Sequence, residues 1–179
     1  WCETSDADGS GPVLGLHLGM SGRILVTGSA DGLGLMTGRM LVELEPRPGE
    51  RALVVGAGTG YSAAVLDAIG LDVTAVESAP ELVAAGGSYA NLIEGPLEDG
   101  YAKAAPYDQI LIDGAVEFIP DAIVDQLADG GRLGTALIDR GVTRLIVGRK
   151  AGGAFGYLSI GDAGVPVLPG FSRPKEFSF

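Results

Sequence analysis

Hydrophobic and polar positions alternate along this chain in short blocks, and the alternation changes period in a regular way. Residues 13–18 (VLGLHL) and 23–28 (RILVTG) each place apolar side chains at every second position around a GMSG break, which predicts a β-hairpin. Residues 28–34 are Gly-rich and read as a flexible joint. From Met36 to Glu45 the period lengthens: Met36, Met40, Leu41 and Leu44 fall on one face of a helix that Pro46 and Pro48 bring to an end. Ala52–Val55 is a continuous apolar run of strand length, and Tyr61–Ile69 is helical with Gly70 as its C′ residue. Asp72–Glu77 is a second strand. Ser78 and Glu81 have capping-box spacing before a helix in residues 81–90 that Gly86 and Gly87 weaken. Asn91–Glu94 and Asp108–Asp113 are the next strands, and Pro120–Ala128 is a helix that the Gly130–Gly131 pair closes. Three more strands follow in 132–138, 143–150 and 156–162, the last two as an antiparallel pair.

Helices between the early strands force parallel pairing, because parallel crossovers are long and right-handed. The prediction is an α/β fold: a Rossmann-like, mostly parallel, seven-stranded sheet with a terminal antiparallel hairpin.

Composition narrows the chemistry. The chain has 179 residues, 46% of them hydrophobic, enough for a domain with a real core. A net charge of −11 without a basic stripe argues against nucleic acid. No apolar run reaches membrane-spanning length, and no signal peptide is apparent, so a cytoplasmic protein is expected. The single cysteine, Cys2, rules out an internal disulfide framework and a Cys cluster for a metal. One histidine, His17, rules out a His-rich metal site and reads as a strand residue.

The candidate site is VVGAGTG, Val54–Gly60, with Glu77 closing the strand after it. A strand, a Gly-rich turn, a helix, a strand and an acid form the front end of a nucleotide-binding domain. The glycines allow a sharp turn and close approach of backbone to ligand. A carboxylate at Glu77 can accept from both vicinal hydroxyls of a ribose. The dinucleotide pattern G-x-G-x-x-G needs a third small residue where this chain has Tyr61. What stands is G-x-G-x-G, which resembles motif I of S-adenosylmethionine (SAM)-dependent methyltransferases. An NAD-linked oxidoreductase is the disfavoured alternative, since the chain lacks a catalytic His, Lys or Tyr-Lys pair.

A longer set of residues resembles one family. GRML with PGE (Gly38–Glu50), VVGAGTGYSAAVL, VTAVE, APYDQILIDGAVEFIP, DQLADGGRL and the tail PVLPGFSRPKEF are similar to protein-L-isoaspartate O-methyltransferases over residues 34–179. The resemblance implies SAM as cofactor, methyl transfer to the α-carboxylate of an isoaspartyl residue in a damaged protein or peptide, and no metal. By position it implies donor contacts from Gly56, Ala57, Gly58, Thr59, Gly60, Glu77, Ser78, Leu97, Asp113 and Gly114. Val54 stands where many methyltransferases have an acid, and Gly95-Pro96-Leu97 where the family often has Gly-Asp-Gly. The family's catalytic hydroxyl aligns with Gly32, and neither Thr37 nor Ser29 fits its register, so no catalytic residue is assigned. A SAM-binding module without methyl transfer is the alternative. Residues 1–33 form a separate N-terminal extension, in which HLGMSGR resembles a strand of formamidopyrimidine-DNA glycosylases, without the Pro-Glu terminus or zinc finger that such an enzyme needs.

Overall fold

The computed structural model describes residues 15–18, 24–27, 32–86 and 92–173, with side chains described from residue 36 onward. The polar terminus 1–12, the 19–22 turn, the joint at 28–31, Ser29, Asn91, the side chain of His17 and the tail beyond 173 lie outside the described residues.

Strands β1 (Gly15–Leu18) and β2 (Ile24–Thr27) pair antiparallel as a two-stranded sheet of their own, as the alternation predicts. Helix α1 spans Gly32–Leu44. It begins four positions before Met36, inside the segment read as a flexible joint. Tertiary burial overrides the low helix propensity of its glycines: Met36, Met40 and Leu44, spaced i, i+4, are 3%, 0% and 1% exposed against Leu111, Ala136 and Leu145. Burying each such side chain stabilises by roughly 1.5–3 kcal/mol. Glu45, at φ +47°, and Pro46 end the helix.

The main sheet contains β3 (Arg51–Val55), β4 (Asp72–Glu77), β5 (Leu92–Glu94), β6 (Tyr107–Val116), β7 (Leu127–Asp139), β8 (Val142–Ala151) and β9 (Ala154–Asp162). Their spatial order is β5-β4-β3-β6-β7-β8-β9, parallel from β5 to β7 and antiparallel from β7 to β9. This is the predicted seven-stranded sheet with its terminal hairpin. The order reverses direction at β3, the switch point where open α/β sheets bind ligands. Helices α2 (Tyr61–Ile69), α3 (Pro80–Ala85) and α4 (Asp121–Asp125) fill the connections.

Two boundaries differ from the sequence expectation for tertiary reasons. Helix α4 stops at Asp125 instead of Ala128. The Gln126 side chain turns back, donating to Asp99 and Ala122 carbonyls at 2.7 and 2.8 Å and accepting from the Tyr101 N–H at 2.8 Å. Residues 128–131, including the glycine pair, form an irregularity between two paired stretches of β6 and β7. Ser78 does not cap α3. Its N-cap is Ala79, without a side-chain cap bond, and the Ser78 and Ala79 N–H groups both donate to Glu77.

Candidate methyl-donor site

The Gly-rich loop joins β3 to α2 at the carboxyl end of the sheet. Gly56, Gly58 and Gly60 have φ of +75°, +56° and +90°. Every second residue therefore sits in the left-handed region, which Cβ-bearing residues resist. This is the physical content of G-x-G-x-G. The loop is pinned to β4 by Gly56 and Ala57 N–H groups donating to the Val76 carbonyl at 2.9 and 3.1 Å. The Gly60 N–H closes onto the Ala57 carbonyl at 2.8 Å.

Glu77 is 6% exposed and holds this loop from β4. One carboxylate oxygen accepts from the Gly58 N–H at 2.8 Å, and the other from the Ser78 and Ala79 N–H groups at 2.7 and 3.0 Å. A carboxylate has about four lone-pair sites, so acceptor capacity remains beside Gly58. A Cβ built on Gly58 meets no atom within 4 Å, so this face of the loop is open. Thr59 is exposed, and Gly58 and Ser78 are partly exposed, on that same stretch.

The other side of the loop is closed by the tail. The tail runs beside the end of β6, in the place β3 vacates when it turns away at Gly56. There the Ala115 N–H donates to the Pro166 carbonyl and the Leu168 N–H to the Ala115 carbonyl, both at 2.9 Å. This pairing also carries β6 past Asp113 to Val116. Leu168 is thereby laid over Gly56 and Gly114: Cβ atoms there would meet its side chain at 2.9 and 2.5 Å. Phe171 anchors the tail in the core at 0% exposure.

Asp113 ends the apolar run of β6. Its Oδ1 accepts from the Thr37 hydroxyl at 3.2 Å and its Oδ2 from the Ser62 hydroxyl, and those two hydroxyls are 3.3 Å apart. Thr37 and Ser62 are 1% and 0% exposed, whereas Asp113 is partly exposed. Burial pushes the Asp113 carboxyl above its ordinary value, against the lowering effect of the two hydroxyls. Nearby, the Tyr61 hydroxyl is buried without a hydrogen-bond partner among the described residues. Its pKa is raised by burial and then by the Asp113 charge.

The structure brings Gly56, Ala57, Gly58, Thr59, Gly60, Glu77, Ser78, Asp113 and Gly114 to one end of the sheet. Leu97 is not brought to the open face: its side chain is 1% exposed and packed in the core with Val76 and Tyr107. Three contributors went unread in the sequence. Thr37 and Ser62 lie 76 and 51 positions from Asp113. Gly86 ends α3 against the loop, where a Cβ would stand 3.0 Å from the Thr59 carbonyl oxygen.

The family model for protein-L-isoaspartate(D-aspartate) O-methyltransferase matches residues 25–152. The chain belongs to this family. The protein-L-isoaspartate O-methyltransferase of Methylorubrum populi is 44% identical over 101 residues, covering 52% of this chain and 48% of the relative. That of Methanoregula boonei is 35% identical over 120 residues, covering 63% and 55%. The chain thus spans about half the length of the curated relatives it matches. A solved protein-L-isoaspartate O-methyltransferase superposes with a TM-score of 0.69 at 19% identity, over 87% of this chain and 52% of that one. A Plasmodium falciparum structure described as belonging to the same enzyme class, in complex with S-adenosyl-L-homocysteine, superposes at 0.67 and 18% identity, over 88% and 79%. These structural likenesses show the methyltransferase fold. The family match begins within β2, ahead of residue 34, and the glycosylase resemblance of the hairpin gains no support from it. Among the described residues no helix is long and apolar enough to cross a membrane, and no group of three or more His, Cys, Asp or Glu could hold a metal.

Proposed function

We propose that this chain is a SAM-dependent O-methyltransferase that esterifies L-isoaspartyl carboxylates of damaged proteins or peptides in the cytoplasm. The observation that carries the reading is the left-handed Gly56–Gly58–Gly60 loop, open at Gly58 and tied to Glu77, in a chain of this family. Gly58, Thr59 and Gly60 would lie against the methyl donor, and Glu77 would take its ribose hydroxyls with the acceptor capacity left beside Gly58. Ser78 would flank the adenine; Leu97, being a core residue, would support that end from below. Gly56, Ala57, Asp113 and Gly114 would form the floor toward the amino-acid end. When bound, the donor supplies a methyl group on a positively charged sulfur.

The acceptor needs little activation. A carboxylate of pKa near about 4 is ionised at neutral pH, so no general base is required. The chain's own task is to hold the carboxylate oxygen in line with the methyl carbon and to keep water out. Leu168 and the apolar floor beneath the loop serve the second purpose. Residues 1–33 remain a distinct extension in this reading, with no glycosylase role.

One observation favours a second reading, a SAM-binding module without transfer: the family's catalytic hydroxyl aligns with Gly32, the first residue of α1. Incubation with SAM labelled in its methyl group and an isoaspartyl peptide, against the matching aspartyl peptide, separates the two. Base-labile label confined to the isoaspartyl peptide supports the enzyme. No label, with S-adenosylhomocysteine still bound in calorimetry, would leave the binding module.

A further inference from the structure

The two edges of the main sheet are finished differently. One is β5, three residues long and ending in Glu94. The other is β9, nine residues long and paired only with β8 among the described residues. An edge strand leaves a row of N–H and C=O groups unpaired, and chains commonly guard such a row with charge, Pro or a bulge. Residues 151–161 hold no Asp, Glu, Lys, Arg or Pro, in a chain of which 20% is charged. The one guard is at the far end. Ile160 is an extra residue between the Ile146–Ser159 and Leu145–Gly161 pairs, and its carbonyl accepts from the Arg39 guanidinium on α1. Residues 154–159 are left bare.

The side chains on this stretch are self-complementary. Leu158 pairs with Val147 of β8 and shares its face, the side of α1. It is 76% exposed. Two positions back on the same face is Gly156, where a built Cβ meets no atom within 4 Å. Both line a hollow of about 480 Å³, together with Val147, Arg149 and Glu43. On the opposite face stands Tyr157, 52% exposed. A projecting leucine and an empty position therefore flank one aromatic residue. An antiparallel copy turned about Tyr157 sets Leu158 of each chain opposite Gly156 of the other, Phe155 opposite Ser159, and the two Tyr157 rings side by side. One rotation matches knob to hollow twice, which is the property of an isologous contact. The absence of charge matters for a copy in particular. Each chain carries a net charge of −11, and this strand brings no like charges opposite one another.

We propose that β9 is a self-association edge, at which two copies of this chain pair antiparallel about Tyr157 and join their sheets. The contact is short and belongs to the small, reversible class. Three strands separate it from β3, so the Gly-rich loop of each copy stays open.

The test is sedimentation equilibrium of the full chain at up to about 0.3 mM, which populates even weak interfaces. A monomer–dimer equilibrium is expected. Leu158→Lys should weaken it by about tenfold or more, because a charge replaces an apolar group that the copy covers, with unchanged far-ultraviolet circular dichroism. Register is read by cross-linking in a Cys2→Ser background. Tyr157→Cys should form a disulfide-linked dimer under mild oxidation, because directly opposed Cα atoms stand about 4.5–5.5 Å apart. Leu158→Cys should not, because its counterpart in the copy is a diagonal neighbour about 7–8 Å away. A wild-type chain that stays monomeric overturns the proposal and leaves the edge to an extended segment of another protein. Growth beyond the dimer overturns the two-fold pairing. So does a Leu158→Cys chain that cross-links as readily as Tyr157→Cys, and that comparison decides the matter even where Leu158→Lys does not fold.

Discussion

Leu168 lies on Gly114: a Cβ on that glycine would meet the Leu168 Cγ at 2.5 Å. The contact joins the tail to the end of the central strand and closes one side of the Gly-rich loop. A glycine at 114 is required by this approach alone, whereas Gly58 is required by backbone conformation and Gly56 by both.

Gly114→Ala is expected to destabilise by about 1–3 kcal/mol, the usual cost of forcing an extra methyl into a packed site. Leu168→Ala removes the obstacle. The double variant should therefore be more stable than the sum of the two single losses predicts, with a coupling of about 0.5–3 kcal/mol. Urea denaturation of the four proteins measures this; strictly additive losses would show that the two side chains do not meet.

Glu77 is expected to have two separable roles. Glu77→Ala leaves the Gly58, Ser78 and Ala79 N–H groups, all on partly exposed residues, without their acceptor, and losing a hydrogen bond to a charged group costs about 1.5–3 kcal/mol. A large fall in melting temperature is the expected result. Glu77→Gln keeps one amide oxygen, and it should retain more of the fold while losing affinity for S-adenosylhomocysteine. If Glu77→Gln bound that ligand as wild type does, the ribose assignment would be withdrawn and the purely structural role would remain.

The sheet was legible because its signals are local. Apolar runs of strand length in β3, β4 and β6, with Gly70 ending α2, need no knowledge of what packs on them. The C-cap of α2 is Gly70 at φ +103°, as the position of that glycine implied. The misread features are decided at a distance. The early start of α1 depends on Leu111, Ala136 and Leu145. The end of α4 depends on Gln126 reaching Asp99 and Tyr101. The apparent capping box at Ser78 and Glu81 was displaced because Glu77, one residue earlier, already holds the N–H groups there. Within the site, the loop glycines and Glu77 could be read from spacing. Asp113 could be placed at the strand end, but its hydroxyl partners belong to two helices whose contact no local pattern encodes.

At the opposite end of the strands, Arg132 and Glu50 form an ion pair at 2.5 Å with side chains 10% and 18% exposed. Glu50 also accepts from Gln109 at 2.5 Å, and Arg132 donates to the Glu45 carbonyl at 3.3 Å. Removing one partner leaves the other charge poorly solvated, so Arg132→Leu is expected to cost about 3–5 kcal/mol. Because the pair lies at the amino end of β3, far from the loop, the affinity for S-adenosylhomocysteine should not change in the folded fraction. A selective loss of affinity without loss of stability would contradict this division between the two ends of the sheet.

Asp113 gives the stability curve a predictable sign. Burial, the larger influence, raises its folded-state pKa above the ordinary 3.8, while the hydroxyls of Ser62 and Thr37 oppose that rise without cancelling it. The folded state therefore binds a proton at Asp113 more tightly than the unfolded chain does. Its contribution to stability is fully present below the ordinary value and is lost as pH rises through the raised one. Tyr61 on α2 is the titratable neighbour that senses this carboxylate, and its own pKa is raised, so it stays neutral across that window. Asp113→Asn mimics the protonated group at every pH. Relative to wild type it should gain stability at neutral pH, and the advantage should shrink toward zero in acid. Ligand binding should run the other way. With Asp113 in the floor toward the donor's amino-acid end, the ammonium of that end favours the ionised form, so wild-type affinity for S-adenosylhomocysteine should increase as pH rises through the same window, whereas that of Asp113→Asn should stay flat. Urea titrations and calorimetry in matched buffers across the acid range measure both slopes. Parallel pH profiles for the two proteins would show that Asp113 titrates the same way folded and unfolded, and that no cation is received there.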